Sequence, residues 1–348
     1  MPNTAQTILV TGGAGYIGSH TCVELISAGQ KVVILDNLSN SKPLAVQRIA
    51  QITGTRPVFV EGDLRDASLV AHVFKTYPIG AVIHFAGLKA VGESVALPLK
   101  YYENNVQGTL VLLAAMVNAS CRRLVFSSSA TVYGASATVP ITEEFPIQPT
   151  NPYGSTKAMI EQILLDLAAS DPDWKIAMLR YFNPVGAHES GLIGEDPVGI
   201  PNNLFPYVSQ VAGGRLERLR VHGSDYATRD GTGERDYVHV VDLARGHLAA
   251  LSALESFQGA VPVNLGTGRG STVLEVVRAF EVAAGVSVPY AVGPRRPGDV
   301  GSCYADVTKA RQLLDWSAAY GLDRMCVDSW RWQQMNPKGY EGPSPSLE

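Results

Sequence analysis

The chain has 348 residues, enough for one large domain or two, and a chain of that size removes roughly three quarters of its surface from water on folding. Its 28 Lys and Arg against 32 Asp and Glu give a net charge of −4 with no basic run, which argues against a nucleic-acid partner. Four scattered cysteines, Cys22, Cys121, Cys303 and Cys326, form neither a disulfide framework nor a metal-ligand spacing, and no apolar stretch reaches the about 18 residues of a membrane span. The opening residues pass directly from a few polar positions into a strand, so no signal peptide is read there, and a soluble, cytosolic, metal-free protein is expected.

Thr7-Ile8-Leu9-Val10 reads as a strand, and Thr11-Gly12-Gly13-Ala14-Gly15-Tyr16-Ile17-Gly18 follows at once. From Gly13 this is G-x-G-x-x-G, opening a helical pattern over about 16–28. Glycines there permit a tight turn and bring backbone N–H groups close to a pyrophosphate at the helix N-terminus. The next strand, Lys31 to Leu35, ends in Asp36, eighteen residues past Gly18. A carboxylate at that position accepts from adenosine ribose hydroxyls and repels a 2′-phosphate, which predicts NAD rather than NADP.

Further strands are predicted over 57–63, 81–87, 123–127 and 175–180, with helices near 42–53, 67–77, 99–119 and 153–170. Near-continuous apolar strands alternating with helices imply an α/β fold with a parallel sheet covered on both faces. Ligands then belong at the carboxyl ends of the strands, where Asp36, Asp63, Phe85, Ser129 and Phe182 fall. The alternation breaks down after about residue 183. Residues 184–235 are rich in Gly and Pro, 261–266 reads as a late strand returning to the sheet, and the tail from Pro337 reads as frayed. The expected division is 1–183 for the nucleotide domain, with a returning element within 237–265. A smaller discontinuous domain then comprises 184–236 and 266–340.

Asn151-Pro152 starts a helix and leaves Tyr153 and Lys157 at i and i+4, on one face. A phenol with an unperturbed pKa of about 10 needs a nearby cation to serve as a base near neutrality. The pair therefore predicts a general base for an alcohol proton, with the Lys157 ammonium lowering the Tyr153 pKa.

The glycine turn, Asp36 and the Tyr153/Lys157 pair together resemble the extended short-chain dehydrogenase/reductases, whose fold is a Rossmann-type doubly wound parallel sheet. Four longer segments resemble the UDP-glucose 4-epimerase family: His84 to Ser94, Ser127 to Gly134, Arg180 to Ala187, and Gly233 to Val240. That resemblance implies a tightly held NAD that takes hydride from C4 of a UDP-hexose and returns it to the opposite face. Tyr153 then handles the O4 proton, Lys157 bonds the nicotinamide ribose, and Ser129 shares a hydrogen bond at O4. It further implies cofactor contacts from Gly12, Gly15, Tyr16, Ile17, Gly18, Asp36, Asn37, Ser39, Asn40, Ser41, Asp63, Leu64, Phe85, Ala86, Gly87, Lys89, Asn104 and Phe182. A homodimer built through the helices near 99–119 and 153–170 is implied as well. Related 4,6-dehydratases carry Asp-Glu at the strand end where this chain has Ala130 and Thr131, so dehydration is not expected.

For the UDP-sugar, the resemblance places Lys89, Asn183, Asn203 and Leu204 at the sugar and diphosphate, and Arg235 and Arg296 on the diphosphate, where a planar guanidinium matches phosphate geometry. Asp299 falls to the uridine ribose. Arg220 and His222 flank uracil, with an imidazole where relatives often have Phe. Cys303 occupies a position that bounds the sugar pocket near C2, either a bulky Tyr or a small residue in the family. A thiol there leaves room for an N-acetyl group and predicts UDP-N-acetylhexosamines as additional substrates. Two other readings remain open at this stage: a different NAD(P)-dependent sugar-nucleotide oxidoreductase, and a nucleotide-sugar sensor that has lost its chemistry.

Overall fold

Apolar side chains alternate between two faces along each central strand, and two separate cores result. Residues 7–135, 138–197, 199, 201–296 and 298–341 are described by the computed structural model. Seven parallel strands form the main sheet: β1 (Thr7–Thr11), β2 (Lys31–Asp36), β3 (Val58–Glu61), β4 (Ile79–His84), β5 (Arg123–Ser129), β6 (Lys175–Tyr181) and β7 (Gly259–Leu265). Their spatial order is β3-β2-β1-β4-β5-β6-β7. The order reverses between β1 and β4, so the crevice at their carboxyl ends is where a doubly wound sheet binds a dinucleotide.

Ile8, Val10, Val32, Ile34, Ala81, Ile83, Ala177 and Leu179 face one core, which the helices Tyr16–Ser27, Pro43–Thr53 and Val240–Ala253 cover. Leu9, Val33, Leu35, Val82, Leu124, Phe126, Ile176 and Met178 face the other, under Ala67–Thr76, Gly108–Asn118 and Pro152–Ser170. Pro262 is tolerated inside β7 because that strand lies at the sheet edge, where a missing N–H breaks no ladder.

The helix predicted over 99–119 is a continuous helical run whose middle, Tyr102–Gln107, is π-helical, between Pro98–Tyr101 and Gly108–Asn118. Periodicity alone cannot reveal one widened turn. Phe85, Ala86 and Gly87 lie just beyond β4 instead of within it.

Beyond residue 183 a third core gathers Val185, Phe205, Val208, Leu219, Val221, Tyr237, Val276, Phe280, Val288 and Met325. Its helices are Leu204–Ala212, Val273–Ala284 and Leu322–Met335, and its short strands include Leu219–His222, paired with Tyr290–Gly293. Asn183–Val185 pairs with Tyr237–His239. The segment from Pro337 to Glu341, read as frayed, is instead packed: Tyr340 lies 4.9 Å from the Trp332 ring and both flank the Arg48 guanidinium. The aromatic at 340 anchors it. Among the described residues no helix is long and apolar enough to cross a membrane, and no group of three His, Cys, Asp or Glu is placed to hold a metal ion.

Candidate active site

Two of the turn glycines are required by the protein itself. Gly12 has φ +71°, and a Cβ there would sit 2.7 Å from the Ala86 nitrogen; one at Gly18 would sit 2.2 Å from the Gly12 carbonyl oxygen. A Cβ at Gly15 would meet only the Gly12 oxygen, at 3.2 Å. That contact is tight but looser than those at Gly12 and Gly18, so of the three Gly15 leaves the most room for a group arriving from outside. No side chain caps the first turn of the helix that begins at Tyr16, so its first N–H groups are available to an anion. Ile17 lies in that turn, and the Tyr16 hydroxyl donates to the Gly186 carbonyl at 2.6 Å.

Asp36 is nearly buried and accepts from Ala14 N (3.0 Å), Leu38 N (2.9 Å) and Ser41 Oγ (2.8 Å). A carboxylate has about four lone-pair sites, so capacity remains for a ribose hydroxyl, and its charge is hostile to a 2′-phosphate. The residues present therefore fit NAD. Asn37 donates to Asp63 (3.2 Å) and accepts from Ser39 N (3.1 Å), and Asn40 is exposed beside them. Arg65 grips Asp63 through Nε (2.9 Å) and Nη2 (2.8 Å), and holds its carboxyl well below the usual range. Leu64 is buried against Gly108, so any cofactor contact from it falls to its backbone.

At the β4 end, Phe85 and Ala86 donate their N–H groups to Thr11 O, and Gly87 abuts the Asn105 carboxamide. Below them runs a buried chain: Thr11 Oγ1 to His84 Nδ1 (2.7 Å), His84 Nε2 to Thr109 Oγ1 (2.9 Å), and Thr109 Oγ1 to Asn105 O (2.6 Å). Thr109 spends its proton on a carbonyl, so it accepts from Nε2–H and leaves Nδ1 to accept from Thr11. Burial pushes the His84 pKa down to about 3, and the ring is neutral. Asn105 holds Leu88 by both backbone groups, and Asn104 donates to Asn105 Oδ1 (3.0 Å). The π-helical turn places these two asparagines, and nothing in the spacing singled out Asn105.

Ser129 ends β5, and Tyr153 and Lys157 stand on the helix beside it. Asn151 caps that helix by accepting from Gly154 N at 2.9 Å, which fixes its first turn. Ser129 Oγ accepts from Thr131 N (3.2 Å) and Thr131 Oγ1 (3.0 Å), and Ser129 hydrogen-bonds Tyr153. Lys157 is buried. Its Nζ donates to Ser127 O at 2.5 Å, lies 4.8 Å from the Phe126 ring centroid and 6.0 Å from that of Tyr153. The expected lowering of the Tyr153 pKa by Lys157 is not what the chain alone produces. Desolvation of the hydroxyl pushes the phenol up, with only the Ser129 bond opposing it. The ammonium is engaged with Ser127, and burial brings its own pKa down to about 8 against the pull of Glu161. Glu161, one turn further on, is itself paired with buried Arg180 (2.6 Å) and bonded by Ser128 (2.5 Å). That pair was not foreseen; its only sequence signal is the continuation of the i, i+4 spacing.

The remaining residues converge from distant parts of the chain. Arg235 Nη2 reaches Asp299 at 3.4 Å, and Cys303 pairs with Arg235 between strands. Burial lowers the His222 pKa, and the charges of Arg296 and Arg220 lower it further, so the three are neighbours. Cys303 packs against the small cluster that holds Phe182 and Tyr133, against which Ala130, next along the chain to Ser129, also packs. Its thiol is pushed up by burial and is not a nucleophile. Asn183 is exposed and donates its N–H to Asp236 O (2.9 Å), and Asn203 precedes the helix that begins at Leu204. Lys89 Nζ is 3.1 Å from Glu195, a contact sequence spacing did not signal.

A family model described as GDP-mannose 4,6 dehydratase matches residues 9–329. UDP-glucose 4-epimerase of Bacillus subtilis is 60% identical over 336 residues, covering 97% of this chain and 99% of that one. The crystal structure of UDP-glucose-4-epimerase from Stenotrophomonas maltophila, with bound NAD and formylated UDP-arabinopyranose, superposes with a TM-score of 0.93 at 52% identity, covering 94% of this chain and 98% of that one. The enzyme from Bifidobacterium longum, in complex with NAD+ and UDP, gives 0.92 at 55% identity, covering 96% and 100%.

Proposed function

The chain belongs to the UDP-glucose 4-epimerase family, and from that premise we propose how its residues interconvert UDP-galactose and UDP-glucose. It is an NAD-dependent isomerase with a Rossmann-type fold. Bound NAD supplies a hydride acceptor for C4 and a donor to the opposite face of the resulting 4-keto sugar. Tyr153 takes the O4 proton on oxidation and returns it on reduction, and Ser129 orients the O4 hydroxyl. Lys157 has three donors and spends one on Ser127, so two remain for a nicotinamide ribose and for the charge developing on Tyr153. The observation that carries this reading is the placement of Ser129, Tyr153 and Lys157 together at the β5 end, at the crevice the glycine turn opens.

Arg235, Arg296, Asp299, Arg220 and His222 form the UDP end of the site, with Asn183, Asn203, Leu204 and Lys89 toward diphosphate and sugar. Residues 184–236 and 266–340 act as a substrate domain over the nucleotide domain of 1–183 and its returning element within 237–265. Cys303 leaves the C2 side of the pocket open to an N-acetyl group, so UDP-N-acetylhexosamines are additional substrates. The protein works as a cytosolic homodimer. Supporting that, Val95, Leu99, Leu110, Met159 and Leu165 are exposed on the helices over 91–118 and 152–170. Light scattering checks the dimer, and Leu99→Glu should shift it to monomer.

The deciding experiment incubates purified protein with UDP-galactose and no added NAD. UDP-glucose should accumulate catalytically. A requirement for stoichiometric added cofactor, or no conversion, would remove the epimerase reading.

A further inference from the structure

Asn203 occupies the N-cap position of the helix Leu204–Ala212, yet its side chain makes no capping bond. Asparagine at an N-cap ordinarily accepts from an N–H of the first turn. Here the side chain turns away and donates Nδ2 to Glu195 Oε1 at 3.1 Å. The same oxygen accepts from Lys89 Nζ, also at 3.1 Å. Lys89 follows β4 of the main sheet and Asn203 belongs to the later, third-core half, so one carboxylate oxygen ties the two halves together across the cleft. Glu195 is well placed to do so. Its side chain is 11% exposed, and its carbonyl accepts from Trp332 Nε1 at 3.2 Å, which anchors the backbone beneath it. Lys89 in turn lies 5.8 Å from the centroid of the Tyr16 ring, at the first turn of the helix that follows the glycines.

We infer that Glu195 is a positioning residue for UDP-sugar binding, one that presets Lys89 and Asn203 as a pair of donors before the nucleotide sugar arrives. The inference rests on the epimerase reading above, in which those two residues face diphosphate and sugar. A flexible lysine and an amide ordered in advance lose less freedom on binding, and that saving appears as affinity. A carboxylate beside a diphosphate also repels it, so the two effects have opposite signs and can be separated.

Glu195→Ala frees both donors and should raise the KM for UDP-glucose about tenfold, the size expected when a charge-assisted hydrogen bond is lost. Saturated kcat should stay near wild type. Glu195→Gln keeps an oxygen that both donors can reach and should recover most of the loss. The penalties of Lys89→Ala and Glu195→Ala should be less than additive, because the second acts through the first. Calorimetric binding of UDP-glucose reports the same loss without turnover, so the test stands even if wild-type protein fails to epimerise and the functional reading falls. An unchanged or lowered KM and Kd in Glu195→Ala, a Glu195→Gln variant as weak as Glu195→Ala, or additive penalties would each overturn the positioning role.

Discussion

The cofactor crevice and the UDP end of the site are built in opposite ways. At the crevice, consecutive residues do the work: Gly12 to Gly18 make one turn, and Asp36 sits at the end of the neighbouring strand with its contacts drawn from Ala14, Leu38 and Ser41. At the end proposed for UDP, Arg220, Arg235, Arg296 and Asp299 arrive on short strands and loops, joined by contacts such as Arg235–Asp299. A site made of neighbours in sequence is rigid because the fold holds it. A site made of distant residues depends on side chains holding one another. The first kind tolerates little change in backbone, whereas the second tolerates side-chain changes that alter what is bound.

The largest effect is expected where the two regions meet. Tyr153→Phe should cost about 10²–10⁴-fold in kcat while UDP-sugar affinity stays close to wild type, since only the proton-transferring oxygen is lost. A variant within twofold of wild type would take Tyr153 out of the mechanism. Next come the glycines. Gly12→Ala forces a positive φ and a backbone clash and should lower the melting temperature by several degrees, the size of a cost of about 1–3 kcal/mol. Gly15→Ala should melt closer to wild type than Gly12→Ala yet retain less NAD. Equal melting of the two variants would erase the distinction between glycines the fold needs and the glycine the ligand needs.

At the proposed sugar pocket, Cys303→Tyr should narrow the space near C2 and suppress turnover of UDP-N-acetylglucosamine by about ten- to a hundredfold, the equivalent of an overpacking cost of about 1–3 kcal/mol. UDP-galactose conversion should be almost unaffected. If wild type ignores N-acetylated sugars, or both reactions fall together, Cys303 is not the gate.

Buried histidines add a pH dependence of stability. Burial lowers His20 and His84 to about 3 and His247 to about 4. Unfolding returns each to its ordinary value near 6.5, so the unfolded chain binds more protons between those limits. Stability is therefore fully present above about pH 6.5 and falls as pH drops toward 3–4. Urea midpoints measured from pH 7 to pH 5 should decline. A flat profile would mean that these rings take up protons equally in the folded and unfolded chain.

Much of the sheet half was legible because periodicity and glycine spacing are local signals. Strand ends carrying Asp36, Phe85 and Ser129 could be placed from the alternation alone. The π-helical turn over 102–107 was not legible, because one extra residue per turn leaves the apolar pattern nearly intact. The engagement of Lys157 by Ser127 was also hidden. A helix spacing says which face two residues share and does not say which carbonyl lies opposite. Glu195 was invisible for a third reason: its partners, Lys89 and Asn203, are brought to it only by the fold. The resemblance to a family supplied the UDP-end residues, which no spacing in this chain points to.

The edge strand β7 has a consequence for how the chain reaches its native state. Gly259 pairs with Lys175, so β6, already paired with β5 on one side, waits for its second partner until most of the chain has been synthesised. During that interval one edge of a fully parallel, apolar sheet stands open, with unpaired N–H and C=O groups available to any other strand. Pairings this distant in sequence form late and slowly. A fragment ending before residue 259 should therefore carry an intact glycine turn and still aggregate, and release of a correctly folded chain is timed by the arrival of its seventh strand.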